Sequence, residues 1–228
     1  MGRTSFVGRI VFAAIAASAS AFSADNPNPG VVLPHGTVAG KTLGEWSGLW
    51  WQWAFGNPSD LDPLQDTTGK LAGIAQQGPV FFLYGTWGGM PPFTRACPVP
   101  CGKYLFFPLY NTICWAGPPD KSDCDPGNFP VCVECAKVNI DACNTLTVTI
   151  DGTDLDVLFR YRETSPVFDF RVPAVSFVHL DPAYTWQGVS DGYWLMLTPL
   201  QRGEHTIRIV VSAPGLADFE VVTHLTVE

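Results

Sequence analysis

Seven cysteines carry much of the chemistry legible in this chain. Cys97, Cys101, Cys114, Cys124, Cys132, Cys135 and Cys143 all lie between positions 97 and 143, and none occurs elsewhere. Where thiols oxidise, such clustering reads as a local disulfide framework stapling a loop-rich region. Seven is odd, so at least one sulfur stays a thiol or bonds elsewhere, and spacing does not give the connectivity. Cys132-x-x-Cys135 has the spacing of a redox or zinc motif. However, no βαβ pattern leads into it, and no second C-x-x-C or His pair matches it. Structural disulfides are the expectation.

The acidic and imidazole side chains offer less. Asp60, Asp62 and Asp66 fall within one short loop. Hard oxygen ligands at that density can hold calcium, yet the D-x-D-x-D-G spacing is absent and Pro63 restricts the backbone. Asp66-Thr67-Thr68-Gly69 also suits a turn in which the carboxylate caps nearby amides, the simpler account. Calcium is the one possible cofactor. The four histidines are His35, His179, His205 and His224. His205 and His224 fall in neighbouring strand candidates and could meet as a metal site or general base. No G-x-S-x-G, H-E-x-x-H or Walker pattern occurs. Two carboxylates suffice for glycoside hydrolysis, but with 21 acids no pair stands out. Arg95, Lys103 and Arg162 are too scattered along the chain to define an anion site.

Aromatic excess points to binding. Trp51 and Phe55 fall on a second face of a helix whose Leu43, Trp46, Leu49, Trp50 and Trp53 share the first. Trp87, Trp115 and Trp186 stand beside Gly/Pro-rich loops. Exposed aromatic faces stack on sugars or anchor protein partners, because they bury large area at low entropic cost. These five are the candidate ligand contacts.

Compartment decides how the cysteines behave. Arg3 and Arg9 precede an apolar run from Ile10 to Ala17 and a small-residue tail ending in Ala21, the make-up of a signal peptide. Cleavage after Ala21 fits A-x-A best, with Ser23 or Ala24 as alternatives. Residues 1–24 are therefore expected to be removed, leaving 25–228 as one β-rich, soluble domain, secreted or periplasmic. No later stretch is long and apolar enough to span a bilayer. The net charge is −8 and becomes −10 without the two leader arginines. That balance disfavours nucleic acid and anionic membrane surfaces as partners.

The elements that must position these residues follow from pattern. Thr42 and Glu45 form a capping box before a helix over 43–55, which Gly56-Asn57-Pro58 ends. Continuous apolar runs at 79–85 and 103–109 read as strands buried on both faces. A cysteine-bearing loop over 111–129 leads to a helix opened by Pro130. From 144 the period switches to two, and Asp151-Gly152 signals a hairpin. Further strands are expected at 167–172, 175–180, 193–198, 205–212 and 218–227. The fold class is mainly β: an antiparallel β-sandwich with a Trp-rich N-terminal helix and a disulfide-stapled loop/helix insertion over 97–143, residues 144–228 being the sandwich-like part.

Several segments together resemble a group of uncharacterised exported bacterial proteins. They are Gly44-Glu45-Trp46-Ser47 with Trp50-Trp51-Gln52-Trp53, Asp66-Thr67-Thr68-Gly69, the Gly78-Pro79-Val80-Phe81-Phe82-Leu83 run, and Gly102-Lys103-Tyr104-Leu105-Phe106-Phe107-Pro108. Gly192-Tyr193-Trp194 with Pro199-Leu200 and Gly203-Glu204-His205-Thr206-Ile207 completes the set. The resemblance implies export and no particular activity. Residues 199–211 are also similar to the late hairpin of bacterial immunoglobulin-like domains, which bears on fold alone. The expected function is non-catalytic recognition of an extracellular glycan or protein through exposed aromatics. The alternative is a secreted hydrolase acting on a polymer, with Asp/Glu or His in a cleft near the Cys-rich loops.

Overall fold

The computed structural model describes residues 26–85, 93–118, 121–213 and 219–228. The leader and Trp87 lie outside the described residues. In chain order the elements are β1 (Thr37–Val38), β2 (Lys41–Thr42), α1 (Leu43–Phe55), β3 (Val80–Phe82), β4 (Phe93–Val99), β5 (Tyr104–Ala116) and α2 (Phe129–Asp141). Then follow β6 (Thr145–Ile150), β7 (Thr153–Asp154), β8 (Arg162–Thr164), β9 (Phe168–Phe170), β10 (Trp186–Leu197), β11 (Gly203–Ser212) and β12 (Phe219–Val227).

Two five-stranded sheets make a mainly β, sandwich-like body. One runs β3-β5-β10-β8, with β9 also on β10; the other runs β4-β12-β11-β6-β7. Pairing is antiparallel except at β3/β5 and β4/β12, which are parallel. Both sheets mix strands from the two halves of the chain, so residues 144–228 do not form the sandwich alone. The stretch 175–180 is not a strand, while β5 and β10 run longer than their apolar cores imply. Asp151 and Gly152, at φ 51° and 78°, form the expected tight turn joining β6 to β7.

Consecutive residues of a strand point to opposite faces, and β10 uses both. Ser190 accepts the indole N–H of Trp51 at 2.9 Å, so its face carries α1. Asp191 pairs in register with Thr112, whose hydroxyl reaches Ala136 O on α2, so the opposite face carries α2. The second sheet packs on that α2 side, where Tyr110 meets Phe219.

α1 begins at the predicted capping box: Glu45 N–H donates to Thr42 Oγ1, and Thr42 N–H to the Glu45 carboxylate. Its tryptophans are buried with their indole N–H groups satisfied: Trp46 on Val38 O, Trp50 on Leu83 O, Trp53 on Ile74 O. The stripe left outward is Glu45, Leu49, Gln52 and Gly56, at helical spacing. Gly44 permits the close seat on β8, since a Cβ there would lie 2.6 Å from Thr164 O.

The staple is real but smaller than seven cysteines imply. Cys114 of β5 bonds Cys135 of α2, and Cys124 bonds Cys132, fastening α2 to the sheet and to the preceding loop. Cys132 and Cys135 therefore serve different partners rather than each other. Cys97, Cys101 and Cys143 are thiols, which corrects the expectation that they join the framework. Cys97 faces inward from β4, where burial pushes its thiol up to about 11, and Cys143 is buried at the start of β6. Cys101 is exposed, with Arg202 Nη2 at 3.0 Å from its sulfur.

Candidate functional site

Three of the five aromatic candidates are core residues. Trp51 is 4% exposed, Phe55 2% and Trp186 0%. Trp51 and Phe55 do form a second helix face, as the wheel requires, but that face rests on the sheet instead of on solvent. Phe55 packs on Phe170 and Trp115, and the Trp186 indole donates to Asp181 O. Trp115 is half-buried, its indole N–H bonded to Lys121 O.

The aspartates act as turn caps. Asp62 is buried and accepts from Leu64 N–H at 2.8 Å and from Gln65; burial raises its pKa despite those bonds. Asp66 accepts from Thr68 N–H, Thr68 Oγ1 and Leu71 N–H. These bonds lower its pKa against the opposing effect of burial. Asp60 is exposed. The oxygens that calcium would need are spent on backbone amides, and among the described residues no three His, Cys, Asp or Glu groups gather. The Asp66 turn is in turn clipped to β4: Ala96 N–H donates to Thr68 O, and buried Arg95 donates to Asp66 O at 2.8 Å.

The histidine pair does not form. His205 pairs across the ladder with Leu225, and His224 with Thr206, so the two imidazoles take opposite faces. His205 Nδ1 sits 2.7 Å from Asp151, whereas His224 Nδ1 meets the Thr206 hydroxyl at 3.0 Å. Sequence spacing could not foresee this one-residue offset in register.

What the structure does offer is a groove along the outward stripe of α1. About 500 Å³ lies between the helix and the 75–82 segment, floored by the edges of Trp46, Trp53 and Phe82 with Leu49. Its walls carry Gln52, Asn57 and Gln77. A second hollow of about 220 Å³ shares Leu49 and Gln52 and continues past Gly48 to Pro166, Val167 and Phe168, with Lys41 and Glu45 also lining it. The groove is therefore elongated. No side chain lining its larger part is charged or titrates near neutral pH, in a chain with 34 acidic and basic groups among its residues. Gln52 Nε2 is tied to Asp169 O and Asn57 Nδ2 to Trp53 O, leaving their carbonyl oxygens as acceptors. The exposed Gln77 offers a whole amide. Pattern reasoning missed Gln52, Asn57 and Gln77; the non-aromatic stripe at 45, 49, 52 and 56 on an otherwise aromatic helix was the signal for Gln52.

On the opposite face of the sheet lies a buried ionic cluster. Asp191 has no exposure, yet sits mid-strand in β10; Arg162 Nε donates to its Oδ1 at 2.7 Å and Thr164 Oγ1 to its Oδ2 at 2.5 Å. Arg162 Nη2 is also 2.7 Å from Asp141 Oδ1, close as an ion pair but not aligned as a hydrogen bond. Burial lowers the Arg162 pKa, and the two carboxylates, Asp141 and Asp191, outweigh it and raise the pKa.

No protein-family model matches the chain, and no curated protein does. Among solved structures it is similar to the solution structure of Amebosin, 12% identical over 62% of this chain and 100% of that one. The TM-score of 0.18 is too low for that likeness to carry an argument. The two disulfides are compatible with an oxidising compartment, and among the described residues no helix is long and apolar enough to cross a membrane.

Proposed function

We propose that the mature chain is an exported, non-catalytic binding protein that holds an uncharged extracellular glycan in the groove along α1. The observation that carries this is the groove's lining: aromatic edges below, side-chain amides at the walls, and no charge through its larger part. Sugar rings present apolar C–H faces and a fringe of hydroxyls, and that lining complements both. The extension toward Phe168 suits a chain of several sugar units rather than a single one. With no acid or base among the groups lining the larger part, the groove holds without cutting. Export is supported by the leader, by the two disulfides and by the resemblance to exported bacterial proteins. The immunoglobulin-like similarity of residues 199–211 belongs to the same reading and is supported by the β11/β12 hairpin pairing.

The hydrolase alternative has its cleft, beside α2 of the Cys-rich region, where His35 lies 3.1 Å from Glu163, but the carboxylate lining it, Asp191, is spent. Both Asp191 oxygens already accept strong bonds, and no part of that side chain reaches solvent. The deciding experiment is a glycan array with the mature protein, followed by calorimetry on the best neutral oligosaccharide. Gln77→Ala removes one or two amide bonds and is expected to weaken binding about five- to tenfold. Absence of any neutral-glycan binding at millimolar concentration, or binding indifferent to both Gln77→Ala and Gln52→Ala, would overturn the proposal; a protein ligand captured in its place would do the same.

A further inference from the structure

The cleft on the α2 side has a different character from the groove. It measures about 610 Å³ and brings together Lys137 of α2, Arg160 and Phe159 from residues 158–161, and Arg162 and Thr164 of β8, with Leu33, Pro34 and His35 opposite. Three cations line it against one carboxylate, Asp191, in a protein whose overall charge is strongly negative. Its other acidic neighbours are engaged, and so are two of its cations, Lys137 and Arg162. Asp141 faces Arg162, Glu163 Oε1 accepts from His35 N–H at 2.8 Å, and Glu134 lies 3.5 Å from Lys137. Arg160 is different. Its side chain is exposed and, among the described residues, has no anionic partner.

The wall that presents Arg160 is held deliberately. Val157, just before residues 158–161, adopts φ 50°, a conformation that a β-branched residue rarely takes. Buried Asn28 fixes it there by accepting Asp156 N–H at 2.7 Å and donating to both Asp156 O and Tyr161 Oη. His35, at φ 58°, is fixed on the facing wall by Glu163. Backbone strain clamped this firmly is characteristic of sites that must present a group in one place. The rim is apolar and open: Phe159 is 47% exposed and Leu33 41%.

We propose that this cleft binds the carboxylate of an acidic saccharide. Arg160 supplies a planar fork matched to a carboxylate, Lys137 stands beside it while paired with Glu134, and Phe159 meets the apolar face of the ring. The site stands independently of the neutral-glycan groove, because α1 and α2 occupy opposite faces of the same sheet. Calorimetry with trigalacturonate, its methyl ester and inorganic phosphate tests it. Trigalacturonate is expected to bind the wild type, about tenfold tighter than the methyl ester, and more weakly as salt rises. Arg160→Gln should lower that affinity about tenfold at an unchanged Tm. Lys70→Gln, the same charge change at an exposed lysine outside the cleft, should leave it unaltered. The proposal is overturned if trigalacturonate fails to bind at about 10 mM, or if Arg160→Gln and Lys70→Gln behave alike. It is equally overturned if the ester or inorganic phosphate binds as tightly as the acid.

Discussion

Replacing Arg162 with methionine tests how the middle of the sheet tolerates a charge. Asp191 has no exposure, and among the described residues Arg162 Nε at 2.7 Å is its one cationic hydrogen-bond donor. Removing one partner of a buried ion pair costs about 3–5 kcal/mol, because the other charge is left stranded. The Arg162 side chain is 29% exposed, so water can enter the vacated space, and Thr164 still donates. Those two facts place the expected cost near the low end, about 3 kcal/mol. For a chain of this size that is about 6–12 °C in Tm. Asp191→Leu should cost less than Arg162→Met, since the freed guanidinium keeps Asp141 and part of its hydration. The Arg162→Met/Asp191→Leu pair buries no charge; its deficit reduces to the orphaned Thr164 hydroxyl, about 1 kcal/mol. The cycle should then show coupling of at least about 2 kcal/mol. Urea unfolding of the disulfide-intact protein, with m-values held constant across the four variants, measures it. An Arg162→Met cost under about 1 kcal/mol, or a double variant as unstable as the sum of its parents, would refute the reasoning.

Other expectations rest on separate parts of the fold. Closing loops of 21 and 8 residues, the Cys114–Cys135 and Cys124–Cys132 bridges should each contribute about 2.5–3.5 kcal/mol. The second loop nests inside the first, so the double-bridge knockout should lose less than these two isolated-loop figures added together. Iodoacetamide without reductant should label one cysteine in the native protein, Cys101, and three after unfolding, as peptide mass spectrometry can count. Gly44→Ala drives a Cβ to 2.6 Å from Thr164 O, a backbone atom that cannot turn aside. It should lift α1 from β8 and cost at least about 2 kcal/mol in urea unfolding. The His205–Asp151 pair raises the His205 pKa and lowers that of Asp151, in each case against burial. Stability from His205 is full below its unfolded pKa and fades as pH rises through the folded one; stability from Asp151 is lost as pH falls. His205→Gln should therefore lose most, about 0.5–1 kcal/mol, between about pH 4 and 6.5, measured as urea midpoints across pH.

Local pattern carried the elements, and long-range pairing hid the sites. The capping box at Thr42 and Glu45, the Asp151-Gly152 turn and the helix after Pro130 depend on near neighbours, and all three were legible. Trp51 and Phe55 show where that legibility ends. A helical wheel separates two faces but does not say that one meets β3 and the other β9 and β10. Packed on both, α1 turns outward only Glu45, Leu49, Gln52 and Gly56, so the binding surface is drawn by what the tryptophans leave uncovered. Disulfide pairing failed for the same reason: Cys114 and Cys135 approach because β5 runs to Ala116, well beyond its apolar core. Asp191 did leave a sign. A Ser-Asp pair between two glycines, inside an otherwise apolar strand, is costly unless something charged meets it.

That segment of β10 explains how two unlike surfaces share one sheet. Ser190 points to α1 and fixes Trp51, whose indole seats the helix and with it the neutral groove. Asp191 points the other way and fixes Arg162, which stands beside Arg160 in the cationic cleft. The glycines on either side allow both. A Cβ at Gly188 would lie 3.0 Å from Phe168, and one at Gly192 only 2.6 Å from Tyr110 O. The strand therefore lies tight against β5 while burying Ser190 and Asp191. The positive-φ residues His35 and Val157 lie in turns beside the cleft, outside β10, and the strand between the two surfaces is fixed on both sides. Ligands at the two sites should consequently bind additively, because neither can move the element they share.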